Sequence, residues 1–438
     1  MKYCFRIMMI LAMGFMGLSW NALAGEAQSN LEVFFQGALQ KAEQLANQDQ
    51  LTRQAEERRT QAISGVLPNL QLLGTYTVQD RSGLSGLRLE LAPQINPNVR
   101  FNLTQPIFRG FAEYARLRQT KMDSESQRVS LVHAARILYL DVAQSFYAWL
   151  GLKSDLLHSQ LELDLLKKRL IEVKQRVRVG RSRSSEVLNL EVALSNLESE
   201  VQRTQSDLAL ATQNLVILTG VEGIEPSDAI KDELEISAAL TDVEIVENRA
   251  DVRAAKLRVE SAREGVSIAK GGHWPTADIG ANYYLDRAGL LETVKWDAFL
   301  SFSIPIYTGG LIQSQVRLAS SILMQAELSL ALLRRQATAD LETTRKQLVA
   351  AREQILSLKK SKALAERNFQ EQSREYRLGL VNNGEVLLSL TGYQEAERAL
   401  DRSLYNMRVA KYRVQLATGR LLTDLSYENL QTILSSRP

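Results

Sequence analysis

Two long intervals without proline constrain this chain more than any other feature. Its eight prolines stand at positions 68, 93, 97, 106, 226, 275, 305 and 438. None falls between Pro106 and Pro226, or between Pro305 and Pro438. A proline inside a helix costs about 3 kcal/mol, so both intervals permit helices of unusual length. Leu190, Leu194, Leu197, Val201, Thr204, Leu208, Ala211, Leu215 and Leu218 recur there in alternating steps of four and three. That is a heptad seam with one polar member. A weaker seam runs through Leu163, Leu166, Leu170, Val173 and Val177. If Ile107 to Val179 is helical throughout, the rod is ~110 Å long, which no compact domain requires.

The chain also repeats itself. Gln175-Arg176-Val177-Arg178-Val179-Gly180 is echoed by Arg374-Glu375-Tyr376-Arg377-Leu378-Gly379. Glu186-Val187-Leu188 matches Glu385-Val386-Leu387, Thr219-Gly220 matches Thr418-Gly419, and Pro106 matches Pro305, always 199 positions apart. Two helical hairpins of equal arm length are expected, at 107–220 and 306–419, with tips just beyond Gly180 and Gly379. The repeats divide the mature chain at 25–235 and 236–438.

Between Pro68 and Pro106, and again between Pro275 and Pro305, the hydrophobic period shortens to two. Leu70, Leu72, Tyr76 and Val78 alternate with polar residues, as do Val99, Phe101 and Leu103. Ile279, Tyr283 and Leu285, then Trp296, Leu300 and Phe302, do the same in the second copy. Four strands are expected, at about 69–79, 98–105, 276–286 and 296–304. Their length suits a tilted crossing of a bilayer, and Trp274, Tyr283, Tyr284 and Trp296 lie near strand ends, where aromatic girdles sit. The same pattern fits half-buried strands of a soluble sheet.

Lys2 and Arg6, the apolar run Ile7 to Leu18 and the small residues of Ala22-Leu23-Ala24 read as a cleaved signal peptide, residues 1–24. The run is short of the ~20 residues that a spanning helix needs. No second long uncharged stretch stands out downstream, so no transmembrane helix is expected in the mature chain. The single cysteine, Cys4, departs with the leader, which excludes disulfides and thiolate chemistry. His133, His158 and His273 are too dispersed to suggest a metal site, and the two on the helical arms read as ordinary surface or interface residues. The net charge of +3 is no footprint for nucleic acid. No catalytic triad, phosphate loop or dinucleotide fingerprint occurs, so neither a cofactor nor an enzymatic activity is expected.

The segment Leu300-Ser301-Phe302-Ser303-Ile304-Pro305-Ile306-Tyr307-Thr308-Gly309-Gly310 closely resembles the strand–proline–helix junction of the TolC family of outer-membrane efflux and secretion channels. Gln105-Pro106-Ile107-Phe108, Asn248-Arg249-Ala250-Asp251-Val252-Arg253 and Tyr376-Arg377-Leu378-Gly379 with Glu385-Val386-Leu387 extend the resemblance over the mature chain. It implies a mainly α fold with a small β part. Long coiled-coil hairpins in two repeats form a trimeric α-barrel, and four strands per chain join a shared 12-stranded β-barrel. Closure supports the oligomer, because known barrels need at least 8 strands. Two chains leave little lumen, whereas three leave a channel. The implied function is a passive exit duct in the outer membrane of a Gram-negative bacterium, most of it periplasmic. Its implied partners are a periplasmic adaptor (membrane fusion) protein and an inner-membrane RND or ABC transporter. Drugs, metal ions and secreted proteins are all candidate cargo, and a coiled-coil scaffold without a pore is the alternative.

The family closes its channel at the hairpin tips with acidic residues and a tyrosine link. Glu385 matches the first tip acid, but Leu388 stands where a second acid is usual, and Val381 where a basic partner is usual. Glu186 is the first-copy equivalent, and Tyr376 is positioned to hydrogen-bond to it. Both glutamates also read simply as helix-start residues. Gly180 and Gly379 terminate helices, with Arg181 and Arg183 beside the first; all four are adaptor-facing candidates, although the arginines also read as a solvated turn and the glycines as helix stops alone. Pro68, Pro106, Pro275 and Pro305 mark the strand–helix junctions.

Overall fold

The computed structural model describes residues 30–80, 94–228, 242–289 and 291–435. The leader and the boundary at 235/236 lie outside them. In chain order the first repeat comprises helices α1 (Leu31–Lys41) and α2 (Glu43–Ser64), strands β1 (Asn69–Val78) and β2 (Ile95–Arg109), and helices α3 (Ala112–Arg178) and α4 (Ser184–Thr219). The second comprises α5 (Asp242–Asn248), α6 (Ala250–Gly271), β3 (Thr276–Arg287), β4 (Trp296–Ser303), α7 (Leu311–Leu378) and α8 (Asn383–Ala417), followed by α9 (Tyr427–Ser435).

The long helices α3 and α7 have 67 and 68 residues, so each is ~100 Å long. The two hairpins match arm for arm, each pairing a long helix with a short one: α4 and α8 have 36 and 35 residues. The glycines of the two Thr-Gly pairs, Gly220 and Gly419, adopt left-handed backbone and end the short arms. Beyond those ends α2 packs along α3, and α6 lies between α3 and α7. The heptad seam of α4 faces inward as its spacing requires. Leu190, Leu197, Val201, Thr204 and Leu215 are buried, and its other four members are half-buried. Each fully buried aliphatic chain contributes ~1.5–3 kcal/mol.

The largest apolar cluster gathers where α1 and α9 dock on the middle of α3. Phe34, Phe35, Tyr139, Phe146 and Trp149 form its aromatic centre. A separate cluster at the tip joins both hairpins through Leu166, Val173, Leu190, Tyr376, Val386 and Leu390.

The strands form one antiparallel sheet in the order β1-β2-β3-β4. Pro68, Pro275 and Pro305 stand just outside β1, β3 and β4. Pro106 does not mark a junction, because β2 continues through it to Arg109. Its missing N–H interrupts nothing on one side, since β1 pairs only as far as Thr104. On the other side a register shift follows it, between Pro106 and Phe108. A proline is tolerated in a strand at such a place.

One helix among the described residues carries an apolar window of membrane-spanning length. Helix α7 contains an 18-residue window of mean hydropathy 1.4, of which 6% is buried within the protomer. The window includes Arg317 and Glu327, so it is not an uncharged stretch. By length and composition it qualifies as a membrane span, yet it continues directly into the coiled-coil part of the same helix.

Candidate functional site

Each hairpin tip is built by a helix stop followed immediately by a helix start. Gly180 and Gly379 have φ values of +72° and +80°, and no atom lies within 4 Å of a Cβ added to either. Glycine is therefore set there by backbone conformation rather than by crowding. Arg181 N–H donates to Arg176 O at 2.8 Å and Leu380 N–H to Glu375 O at 3.0 Å, closing the same turn in both copies. Asn382 caps α8: its Oδ1 accepts from Glu385 N–H at 3.2 Å, while its Nδ2 donates to Glu385 Oε1 at 3.0 Å. Glu385 and Glu186 each occupy the third position of a helix, where a carboxylate favours the positive helix end. Leu388, one turn further along, is 76% exposed, and Arg181 and Arg183 are exposed as well.

The expected bond between Tyr376 and Glu186 is not formed. Tyr376 is only 3% exposed, and its hydroxyl meets Ser182 Oγ at 3.4 Å. The guanidinium carbons of Arg169 and Arg176 lie 3.9 and 4.5 Å from its ring centroid. Arg176 also donates to the Tyr376 carbonyl at 3.3 Å, and Arg169 donates to Asn383 Oδ1 at 2.9 Å. Two arginines of α3 thus hold the start and end of the second hairpin's tip. Oε2 of Glu186 is buried without a hydrogen-bond partner.

Above the tip, α3 and α8 meet across a polar seam. His158 Nε2 lies 2.9 Å from Asp401 and its Nδ1 3.5 Å from Glu397. Ser154 donates to Asp401 at 2.6 Å, and Lys362 of α7 bridges to Glu397 at 2.6 Å. One turn along, Arg398 reaches Ser159 and Glu162, both buried, at 3.2 and 3.3 Å. Arg402 donates to Asp155 at 2.8 Å. The hydrogen bond to Asp401 raises the His158 pKa, and in turn lowers that of Asp401. Burial raises the pKa of Glu162, against the opposing charge of Arg398. His158 is therefore part of a designed contact between the hairpins rather than an ordinary surface histidine. Sequence reading missed this seam, although polar residues at 154, 155, 158, 159 and 162 trace one helix face.

The sheet has two chemically distinct faces. Cross-strand register places Leu70 opposite Leu103, Leu72 opposite Phe101, Phe101 opposite Tyr283 and Ile279 opposite Leu300. All of these side chains are exposed in the protomer, as are Trp296 and Phe302. The other face carries a hydrogen-bonded ladder. Asn102 donates to Asn282 at 2.9 Å, Asn282 to Asp297 at 2.8 Å, and Tyr284 to the second Asp297 oxygen at 2.8 Å. Gly280 lies beneath Phe299 on that face, where an added Cβ would fall 2.2 Å from the ring. An apolar face with no protein cover, backed by a polar one, is what a strand between lipid and water requires. Among the described residues no three His, Cys, Asp or Glu side chains gather to hold a metal ion.

A two-faced sheet at one end of a pair of ~100 Å helical hairpins defines an outer-membrane channel protomer. Residues 35–221 and 243–420 match the model of the outer membrane efflux protein family, and the chain belongs to that family. It is 23% identical over 434 residues to the outer membrane protein TolC of Escherichia coli strain K12, covering 93% of this chain and 85% of that protein. It is also 23% identical over 344 residues to the outer membrane efflux protein BepC of Brucella suis, covering 74% and 73%. Among solved structures, the CmeC outer membrane channel of Campylobacter jejuni aligns with a TM-score of 0.81 at 15% identity, over 96% of this chain and 95% of that one. VceC of Vibrio cholerae aligns at 0.78 and 18% identity, over 89% and 96%. The protein is thus an outer-membrane exit duct of an efflux system, with its long helices in the periplasm. Its relatives are named as channel and efflux proteins rather than enzymes.

Proposed function

We propose that three copies of this chain close their sheets into one 12-stranded barrel, continuous with a hollow cylinder of helical hairpins. The observation that carries this reading is the sheet. Among the described residues its apolar face is uncovered, and β1 and β4 each have one unpaired edge. Unpaired edges are not tolerated in a membrane, and four strands cannot close on themselves. The exposed apolar window of α7 supports the same assembly, since neighbouring helices of a ring would cover it.

The duct conducts passively. An inner-membrane RND or ABC transporter supplies the energy, and a periplasmic adaptor joins the two around the tips at Gly180, Arg181, Arg183 and Gly379. Glu385, Leu388 and Glu186 border the constriction, with one acidic ring where two are usual and an apolar ring at Leu388. Tyr376, gripped by Arg169 and Arg176, holds the two hairpins of one protomer together in the closed arrangement. The purified protein should have the mass of a trimer in detergent and should conduct ions in planar bilayers. A monomer, or a trimer that never conducts, would favour a scaffold without a pore.

A further inference from the structure

The polar face of the sheet carries an imbalance of charge at its loop end. Arg100 and Arg287 both lie against the ring of Tyr284, their guanidinium carbons 6.0 and 4.2 Å from its centroid. Tyr284 in turn donates its hydroxyl proton to Asp297 Oδ2 at 2.8 Å, and Asp297 Oδ1 accepts from Asn282 at 2.8 Å. Both oxygens of the one carboxylate here are therefore engaged by neutral donors. Neither arginine forms an ion pair closer than 4 Å among the described residues, and Nε of Arg100 has no partner.

Register fixes which charges share this face. Arg100 is opposite Tyr284, and Arg287 is opposite Asn98, two residues before Arg100. Asp286 is opposite Val99, so it points to the apolar side with Val99 and Phe101. The remaining charges on the polar face, Arg109 and Asp278, pair at 3.1 Å at the other end of the sheet. The loop before β4 carries one acid and one base, Glu292 and Lys295, and Lys295 O accepts from Tyr284 N–H at 2.8 Å. Among the described residues, each protomer thus places two guanidiniums and one carboxylate on this face at this level.

We propose that this group forms an anion-selecting collar at the outer mouth of the barrel, favouring exit of solutes that bear carboxylate, phosphate or sulfate groups. The proposal rests on the reading of the chain as a three-fold duct, in which the polar face lines the lumen. Six guanidiniums and three carboxylates then surround one opening. Arginine remains charged at any physiological pH. Rings of arginine favour anions in pores, and low-dielectric walls focus their field across the lumen. Tyr284 gives the collar its form: its ring supports both guanidiniums while its hydroxyl occupies Asp297, so the arginines remain available to passing ions.

The test uses the full-length trimer in planar bilayers under a KCl gradient. Arg100→Gln with Arg287→Gln should lower the chloride-to-potassium permeability ratio by about threefold or more, whereas Asp297→Asn should raise it. Opposite signs from neighbouring substitutions distinguish selectivity from general damage. An unchanged ratio in a double variant that conducts like the parent would overturn the collar and leave the duct intact. A parent protein that passes no current would instead refute the duct. A second measurement needs no substitution: inorganic tripolyphosphate should block the parent at a lower concentration from the loop side than from the helical side. Equal block from both sides counts against the collar.

Discussion

The guanidinium of Arg169 lies over the ring of Tyr376, its central carbon 3.9 Å from the ring centroid. One residue belongs to the long helix of the first hairpin, and the other ends the long helix of the second. Arg176 packs on the same ring at 4.5 Å. The grip is made by the ring, since the tyrosine hydroxyl has only a long contact of 3.4 Å with Ser182. Cation–π contacts removed from water contribute up to about 2 kcal/mol. Tyr376→Phe should therefore conduct like the parent in planar bilayers. Arg169→Gln with Arg176→Gln should raise the conductance, because the hairpins lose their grip on each other. A large effect of Tyr376→Phe alone would return the hydroxyl to the centre of the gate.

Glu385 accepts from its own helix cap and sits at the proposed constriction. Removing it should lower the potassium-to-chloride permeability ratio relative to the parent, whatever that ratio is, while leaving trimer yield close to that of the parent. Leu388→Asp should restore a second acidic ring and increase block by divalent cations. Both are measured as reversal potential and as current inhibition by magnesium. If neither variant differs from the parent, Glu385 acts only in starting α8.

The His158 contact predicts a pH dependence with a definite sign. Its raised pKa means that the folded protein holds the proton more tightly than the unfolded chain does. The resulting stabilisation is fully present below the unfolded value of about 6.5 and is lost as pH rises through the higher folded value. Asp401, whose pKa is lowered, contributes in the opposite direction: its share is present above the unfolded carboxylate value and lost as pH falls through the folded one. Relative to His158→Gln, the parent's thermal midpoint in detergent should be higher at pH 6 and should converge upward from pH 7. A constant difference across this range would show that His158 contributes packing alone.

Leu197 is buried in the cluster that joins the hairpin tips. Leu197→Asp leaves a charge there without a partner, which costs at least about 3 kcal/mol. The variant should be degraded in the periplasm, whereas Leu188→Asp, at an exposed position of the same helix, should accumulate as the parent does. Immunoblots of membrane fractions separate the two outcomes.

Glu292, in the exposed loop between β3 and β4, should lie outside the cell. A cysteine at this position should react with an impermeant maleimide on intact cells. Labelling only after lysis would invert the proposed topology.

Long-range order was readable because it is written as periodicity. Heptad steps, a 199-residue repeat and alternation between prolines each persist over many residues, so local exceptions do not erase them. The helices α2 and α6 that continue the layer beyond the short arms were not readable, since a Thr-Gly stop does not announce them. Pro106 misled because a proline's tolerance in a strand depends on where its neighbour ends, a tertiary fact. The contacts of Tyr376 and His158 were hidden for the same reason. Their partners lie 200 and more positions away, at Arg169, Arg176, Asp401 and Glu397.

The two unpaired edges of the sheet also bear on how the protein reaches the membrane. A protomer that leaves β1 and β4 open has no stable resting form in lipid, so insertion must wait for encounter with other copies. The rate of maturation then rises steeply with the supply of newly secreted chain, and a chain able to pair at one edge only would capture sound copies and strand them. Co-expression of such a variant should silence a wild-type gene in the same cell.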